Sequence, residues 1–347
     1  DFDVIKANLK EFLKAQNEFA DYDFEASGLN NILDVLAYNT HYNGLIANFA
    51  LNESFLTTSQ LRSSIVAHAE SLGYVPRSYA SSQAKLNISV TVTDTNRPTT
   101  ITLPRNTEFT STVDDVSYTF QTRENFTGTD DGTGLYQFTV DASGDTAIPV
   151  FEGTEKTKTF FVGEKSDSQI YVIPDVTIDT STIRVRVFDT ATSTNFTTYT
   201  NISKAVRITN DTTYYQIKEV PNGYYEVIFG DGISTGKAPV AGNKIVIDYL
   251  STKGTVANGA SSFTTTAQLT VNQVAYSVVA TTANSSAGGA YKEAIESIRQ
   301  NAPIAFGSQR RLVTAEDYKA QILTNFGSFL DDVIAWGGHD NVPQVYG

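Results

Sequence analysis

Apolar and small residues recur from Gly28 to Ala50 at alternating steps of three and four: Leu29, Ile32, Leu36, Asn39, Asn43, Ile46 and Ala50. This spacing puts them on one stripe of a helix, the seam of a helix packed lengthwise against another. Leu33, Thr40 and Ala47 widen the stripe on one side, and Val35, Tyr42 and Phe49 widen it on the other. A helix so broadly apolar needs several neighbours to cover it. Upstream, residues 3–19 align Ile5, Leu9, Phe12, Gln16 and Phe19, with Lys6, Lys10, Lys14 and Glu18 mostly off the stripe, which predicts an amphipathic helix. Downstream, Thr57 and Gln60 have the spacing of a capping box for a third helix running to Leu72. Gly73 suits the left-handed position after that helix, and Pro76 prevents its continuation. The third helix is short, so part of the long helix stays open. The expected assembly surface is Ile5, Leu9, Phe12 and Phe19 with Leu29, Ile32, Leu36, Asn39, Asn43, Ile46 and Phe49.

From about Gln83 the period falls to two. LNISVTV, ITLP, TEFTST, VSYTFQT and LYQFTV read as strands separated by Pro, Gly, Asp and Asn turns. A second set, IYVI, IRVRVF, YYQIKEV, YYEVIFG and KIVIDYL, begins after the turn-rich GEKSDS. Residues 251–290 are rich in Thr, Ser, Ala and Gly and read as a connector. AYKEAIESIRQNA and TAEDYKAQILTNF then read as helices, with Thr314 as an N-cap, and DDVIAW reads as a strand. The fold expected is a multidomain α+β chain: a helical bundle region over 1–80, β-rich domains over 83–165 and 166–265, and a connector, helices and the start of a further α/β domain over 266–347. The last strand has no closing partner, so more chain is expected beyond Gly347, and a sequence without Met that starts at Asp1 is expected to be a piece of a longer one.

Composition narrows the chemistry. The 347 residues are 40% hydrophobic and 18% charged, with 18 Tyr and 20 Phe, which excludes gross disorder and agrees with much β-structure. A formal charge of −13 opposes binding to nucleic acid, whose phosphates require Lys and Arg. With no cysteine there is neither a disulfide nor thiolate chemistry. No apolar run approaches the length of a membrane span.

Candidate sites reduce to structural roles. Phe229-Gly230-Asp231-Gly232 lacks the Lys and Ser/Thr of a phosphate loop and the alternating oxygen ligands of a calcium loop, so Gly230, Asp231 and Gly232 are read as a tight turn between YYEVIF and KIVIDYL. His41, His68 and His339 fall on separate elements without metal-ligand spacing. Tyr38, Asn39, His41, Tyr42 and Asn43 form a polar, aromatic cluster on the long helix, where Asn on a seam sets register. The pairs Asp114-Asp115, Asp130-Asp131 and Asp331-Asp332 are neighbours along the chain. They do not make the facing carboxylates that glycoside hydrolysis needs. No catalytic residue, cofactor or metal is expected.

The order of DYDFE, SGL, LDVLAYNTHYN, NESFL and SLGYVPRS across residues 21–78 resembles the N-terminal region of the baseplate wedge subunit of T-even-type contractile-tail phages, in the baseplate J-like group. The resemblance recurs in TLPRNTEFTSTVDDVSYTFQT, in FGDGISTGKAPVAGNKIVIDYLSTKGTVANG, and in IESIRQNAPIAFGSQRRLVTAEDYKAQI with VIAWGG and PQVYG, whereas residues 123–222 show no match. It implies a structural virion protein in the tail baseplate, assembled in the host cytoplasm, that joins wedge subunits into the ring around the tail hub and transmits the change that triggers sheath contraction. The implied partners are a second copy of the chain, a helical third wedge protein, other wedge proteins and sheath-initiating proteins, with no nucleic acid and no membrane. The competing reading, a tail adhesin or polysaccharide-degrading tail enzyme, rests only on abundant strands, aromatics and acidic charge.

Overall fold

The computed structural model describes residues 1–141, 143–164, 169–205, 207–308, 311–327, 329–330, 332–338 and 343–344. The chain divides into two compact units, Asp1–Ser71 and Leu72–Gly347.

The first unit is helical. Helix α1, Phe2–Lys14, is followed by a 3-10 turn, Asn17–Phe19, so the helix expected over 3–19 stops short of its last residues. Phe2, Ile5, Leu9 and Leu13 are its half-buried apolar residues, whereas Phe12 is exposed. Leu13 therefore takes the place on the stripe that the sequence suggested for Phe12. Helix α2, Leu29–Glu53, buries Leu33 and Ala37, one turn apart. Antiparallel packing of α1 along the first part of α2 is fixed by charge: Lys6 Nζ lies 2.5 Å from Asp34, and Lys10 pairs with Glu25 in the preceding loop. Lys10, although off the apolar stripe, thus faces a partner within the unit. Phe24 is buried in an aromatic trio with Phe19 and Tyr22.

Helix α3, Arg62–Ser71, starts in a way the sequence did not suggest. The expected Thr57/Gln60 capping box does not form. The Glu53 carboxylate at the end of α2 accepts from Gln60 N (2.7 Å) and Leu61 N (3.3 Å), while the Glu53 carbonyl lies 2.8 Å from His68 Nε2. A single residue thus ties the end of α2 to both ends of the next helix, because a carboxylate suits the unsatisfied amides of a helix start. Gly73 has φ +78°, the left-handed conformation expected of it.

The second unit holds two sheets. In the first, β1 (Gln83–Thr91) is central. Further strands are β2 (Thr100–Leu103), β3 (Glu108–Val113), β4 (Val116–Thr122), β5 (Phe126–Asp130), β6 (Leu135–Thr139) and β7 (Ala147–Glu152). One edge of β1 is shared by β7, opposite Gln83–Asn87, and β6, opposite Ser89–Thr91. Leu86, Ile88 and Val90 alternate inward to meet Phe109, Phe120, Tyr136, Phe138, Ile148 and Val150. The second sheet runs in the order β8 (Thr154–Phe161), β14 (Lys244–Ser251), β10 (Ile178–Phe188), β11 (Phe196–Asn201), β12 (Tyr214–Glu219), β13 (Tyr225–Phe229) and β9 (Tyr171–Ile173). Its core is built on Ile173, Val185, Tyr199, Tyr215, Tyr225, Val227, Ile245 and Ile247.

The stretch expected to be a connector is the main departure. It carries β15 (Gln268–Val271) and β16 (Val274–Ala287), and β16 pairs antiparallel with the free edge of β1 along Gln83–Val90. A bridge between Thr110 and Thr264, with Phe263 edge-on to Phe120 at 5.0 Å, ties the same returning segment to β3. Strands from both sides of the second sheet thus build the first. β8, expected in the first β-rich domain, belongs to the second sheet, and the change of sheet occurs at Gly153, whose φ is +135° and whose Cβ position would lie 2.8 Å from Ser251 O. At the C-terminal end are α4 (Ile295–Ser308) and α5 (Ala315–Phe326), the latter opened by the expected Thr314 cap in a capping box with Asp317. Of residues 331–336, expected as a strand, Asp331 lies outside the described residues and 332–336 have no strand pairing.

Candidate assembly surface

At about 1.5 Å per residue, α2 is ~37 Å long and α1 ~20 Å, so α1 reaches along little more than half of its neighbour. The buried residues reflect this: Leu33 and Ala37 lie in the first part of α2, and every residue from Tyr38 to Leu51 is exposed except half-buried His41. Of the expected surface residues, Ile5, Leu9, Phe19 and Leu29 are half-buried within the chain. Phe12, Ile32, Leu36, Asn39, Asn43, Ile46 and Phe49 are exposed, Leu36 at 48% and Ile46 at 54%. Val35, Tyr38, Tyr42, Leu45 and Leu51 add to the same exposed apolar surface. Tyr38 stacks on Tyr42 (5.6 Å between ring centres), and Asn43 Nδ2 donates to Asn39 Oδ1 at 2.9 Å, so the polar members of the seam satisfy each other along the helix. Extended apolar surface left exposed on a helix commonly marks a partner surface.

The other described candidates are held in local structure. Asp231 Oδ1 accepts from the amides of Ile233, Ser234 and Thr235 at 2.7 to 2.9 Å, and these bonds, Thr235 first, bring its carboxyl down to about 2. Gly232 has φ +71°, while Gly230 is needed for close approach, its Cβ position falling 2.2 Å from Thr235 O. The segment is not a tight turn between neighbouring strands. β13 pairs with β12 and β9 and β14 with β8 and β10, so residues 230–243 cross between strands that are not adjacent. Asp114 and Asp115, at φ 49° and 63°, form the two-residue hairpin between β3 and β4. Asp130 pairs with Arg97 at 2.7 Å and Asp131 accepts from Thr133 N, while Asp331 lies outside the described residues and Asp332 pairs with Lys319 at 3.1 Å. His41 and His68 stand apart on α2 and α3, and His339 lies outside the described residues. Among the described residues no group of three or more His, Cys, Asp or Glu could hold a metal, and no helix is long and apolar enough to cross a membrane.

Comparison with known proteins agrees with the helical geometry. Residues 1–74 match the family described as baseplate wedge protein gp6-like, helical domain. The chain is also 34% identical, over 357 aligned residues, to baseplate wedge protein gp6 of Enterobacteria phage T4, an alignment covering 96% of this chain and 51% of the relative. The chain is thus similar to gp6-like baseplate wedge proteins, most directly in its helical unit. It spans about half the length of the relative it matches. The alignment extends far beyond the helical unit, so the β-rich unit shares the similarity, including most of residues 123–222, which the motif resemblance left unmatched. Periodicity located the α2 seam but missed Glu53, whose role depends on a turn that returns α3 to the end of α2.

Proposed function

We propose that this chain is a structural subunit of a contractile-tail phage baseplate wedge, located in the virion tail and assembled in the host cytoplasm. Its first unit is completed by helices from other chains. The observation that carries this reading is the exposed apolar half of α2 from Tyr38 to Leu51, a surface too large to be left in water. In this reading the covering helices come from a second copy of the chain and from a helical third wedge protein. The β-rich unit then contacts further wedge proteins and those that initiate the sheath, and wedges so joined form the ring around the tail hub and transmit the change that triggers contraction. The name of the T4 relative supports the class of particle, and the exposed α2 row supports the use of helices. An adhesin or a polysaccharide hydrolase draws no support from the described acidic pairs, since Asp114-Asp115 and Asp130-Asp131 are occupied in turns and ion pairs.

The test is reconstitution. The full chain co-expressed with the helical wedge proteins of its own phage is expected to co-purify as a complex of defined stoichiometry by light scattering, and to be found by mass spectrometry in purified tails. A chain that stays monomeric beside every wedge protein and is absent from tails would overturn the proposal. Release of reducing ends from host glycans, abolished by one acidic substitution, would establish the enzymatic alternative.

A further inference from the structure

Between the two sheets of the second unit lies a half-open cleft of about 440 Å³. Its walls are apolar on the first-sheet side, at Phe126, Pro149 and Phe151, and cationic around Arg105, Arg123 and Arg184. The charges do not balance. Arg105 and Arg123 converge on one carboxylate, Glu155, Arg123 at 3.2 Å, and Arg105 also lies 3.9 Å from Asp248. Asp248, on β14, receives Arg186 at 2.7 Å and Thr157 Oγ1 at 2.8 Å. Arg184 is the residue directly across the ladder from Asp248, yet its guanidinium makes no hydrogen bond or ion pair among the described residues, because Arg186 and Thr157 already hold that carboxylate. Four guanidiniums therefore share two carboxylates, and the Nε atoms of Arg105 and Arg186 are buried without a hydrogen-bond partner. Nearby Asp179 adds little, since its oxygens accept from Ser81 N and from the amide and hydroxyl of Ser181. Glu124, the acidic residue on the cleft wall, is exposed. Burial, then the neighbouring Arg105 and Arg186, pushes the Arg184 guanidinium below its ordinary range, and burial with Arg105 does the same to Arg123. Surplus positive charge in a partly desolvated cleft, in a chain of formal charge −13, is a place where an added anion relieves repulsion.

We propose that this cleft is a binding site for a carboxylate carried on an apolar stem, with Arg184 as the principal donor, Arg123 and Arg105 beside it, and the phenylalanine wall taking the stem. A guanidinium offers a planar pair of donors that matches both oxygens of a carboxylate. Such a group can arrive as a small organic acid or as an acidic side chain next to an apolar residue in another polypeptide.

The full chain would be titrated by calorimetry with 3-phenylpropionate, with the capped dipeptide acetyl-Asp-Phe-amide and with inorganic phosphate, at low salt. Saturable binding of either carboxylate, at least tenfold tighter than phosphate and weakened by added salt, is the result expected; the tighter of the two carboxylates identifies the source. Arg184→Gln should abolish this binding while leaving the melting temperature unchanged or raised, because it removes an unpaired charge. Arg184→Lys should keep only a part of it, and Lys85→Gln, which removes an exposed cation on β1, should change nothing. No saturable binding, equal affinity for phosphate, or equal losses in Arg184→Gln and Lys85→Gln would each overturn the proposal. So would a large drop in melting temperature for Arg184→Gln, since the residue would then be structural.

Discussion

Ile46 gives a direct test of the assembly surface. It sits on the exposed half of α2 and retains 54% of its surface in the isolated chain. Fully burying such a side chain is worth about 1.5–3 kcal/mol, so covering the half that remains open contributes about 1–1.5 kcal/mol to association. Ile46→Ala forfeits most of that, which corresponds to roughly a five- to tenfold weaker complex. Ile46→Asp also strands a carboxylate against apolar partner surface, at an effective penalty of several kcal/mol. The two terms together come to about 4–5 kcal/mol, a loss in affinity of about a thousandfold or more. In the free chain the same change is a surface substitution, with an effect within about 0.5 kcal/mol. The assay is paired: thermal unfolding of the free chain, and sedimentation of the chain mixed with its helical wedge partners. The expected pattern is a melting temperature that barely moves and a complex lost with Asp but only weakened with Ala. Unfolding of the free Ile46→Asp chain, or an unchanged complex, would refute the idea that this face is open in the chain and closed by a partner.

Three other outcomes follow from the geometry. Gly153→Ala, which forces a Cβ to within 2.8 Å of Ser251 O at φ +135°, is expected to destabilise the second unit by about 1–3 kcal/mol, read as a lower urea midpoint. Glu152 is buried and accepts from Thr252 Oγ1 and Lys253 N, and burial raises its carboxyl above the usual range. The folded state therefore holds this proton more tightly than the unfolded one, so stability falls as pH rises from the unfolded value through the folded one, and Glu152→Gln should flatten that slope and leave neutral-pH stability equal or higher. Asp231 behaves in the opposite sense: its carboxyl lies at about 2, so its contribution is complete above the ordinary carboxylate range and is lost as pH falls toward 2. Asp231→Ala should speed amide exchange at Ile233, Ser234 and Thr235 and remove that acid sensitivity; unchanged exchange would show that the loop holds its shape without the carboxylate.

What could be read in advance followed the strength of the local signal. The three helices, the Thr314 cap and strands such as Leu86–Val90 are encoded by apolar spacing and cap chemistry within a few residues. The role of β16 was not legible: its sequence, VAYSVVATTANSSA, has small and polar residues where a buried strand would show Val or Ile, and only its long antiparallel pairing with β1 defines it. β7 was disguised by Pro149, and β8 by its alternation of Thr and Lys at the edge of the second sheet. Likewise the α2 seam was visible as a period, but which of its residues remain open depends on how short α1 is. Arg184 gives no signal in the sequence, because an arginine on a strand acquires meaning only when the carboxylate across from it already has another partner.

The pairing of β1 with β16 also bears on how this polypeptide is made. The two strands are separated by about 180 residues, and at ribosomal rates of about 5–20 residues per second the first waits on the order of 10–40 s for its neighbour. Throughout that interval one edge of β1 presents unpaired amides and carbonyls, while β2 to β14, and the whole second sheet with them, emerge and can fold. A nascent chain in this state is open to strand exchange with another copy on the same messenger, which makes the emergence of β16 the step that protects the subunit from misassembly.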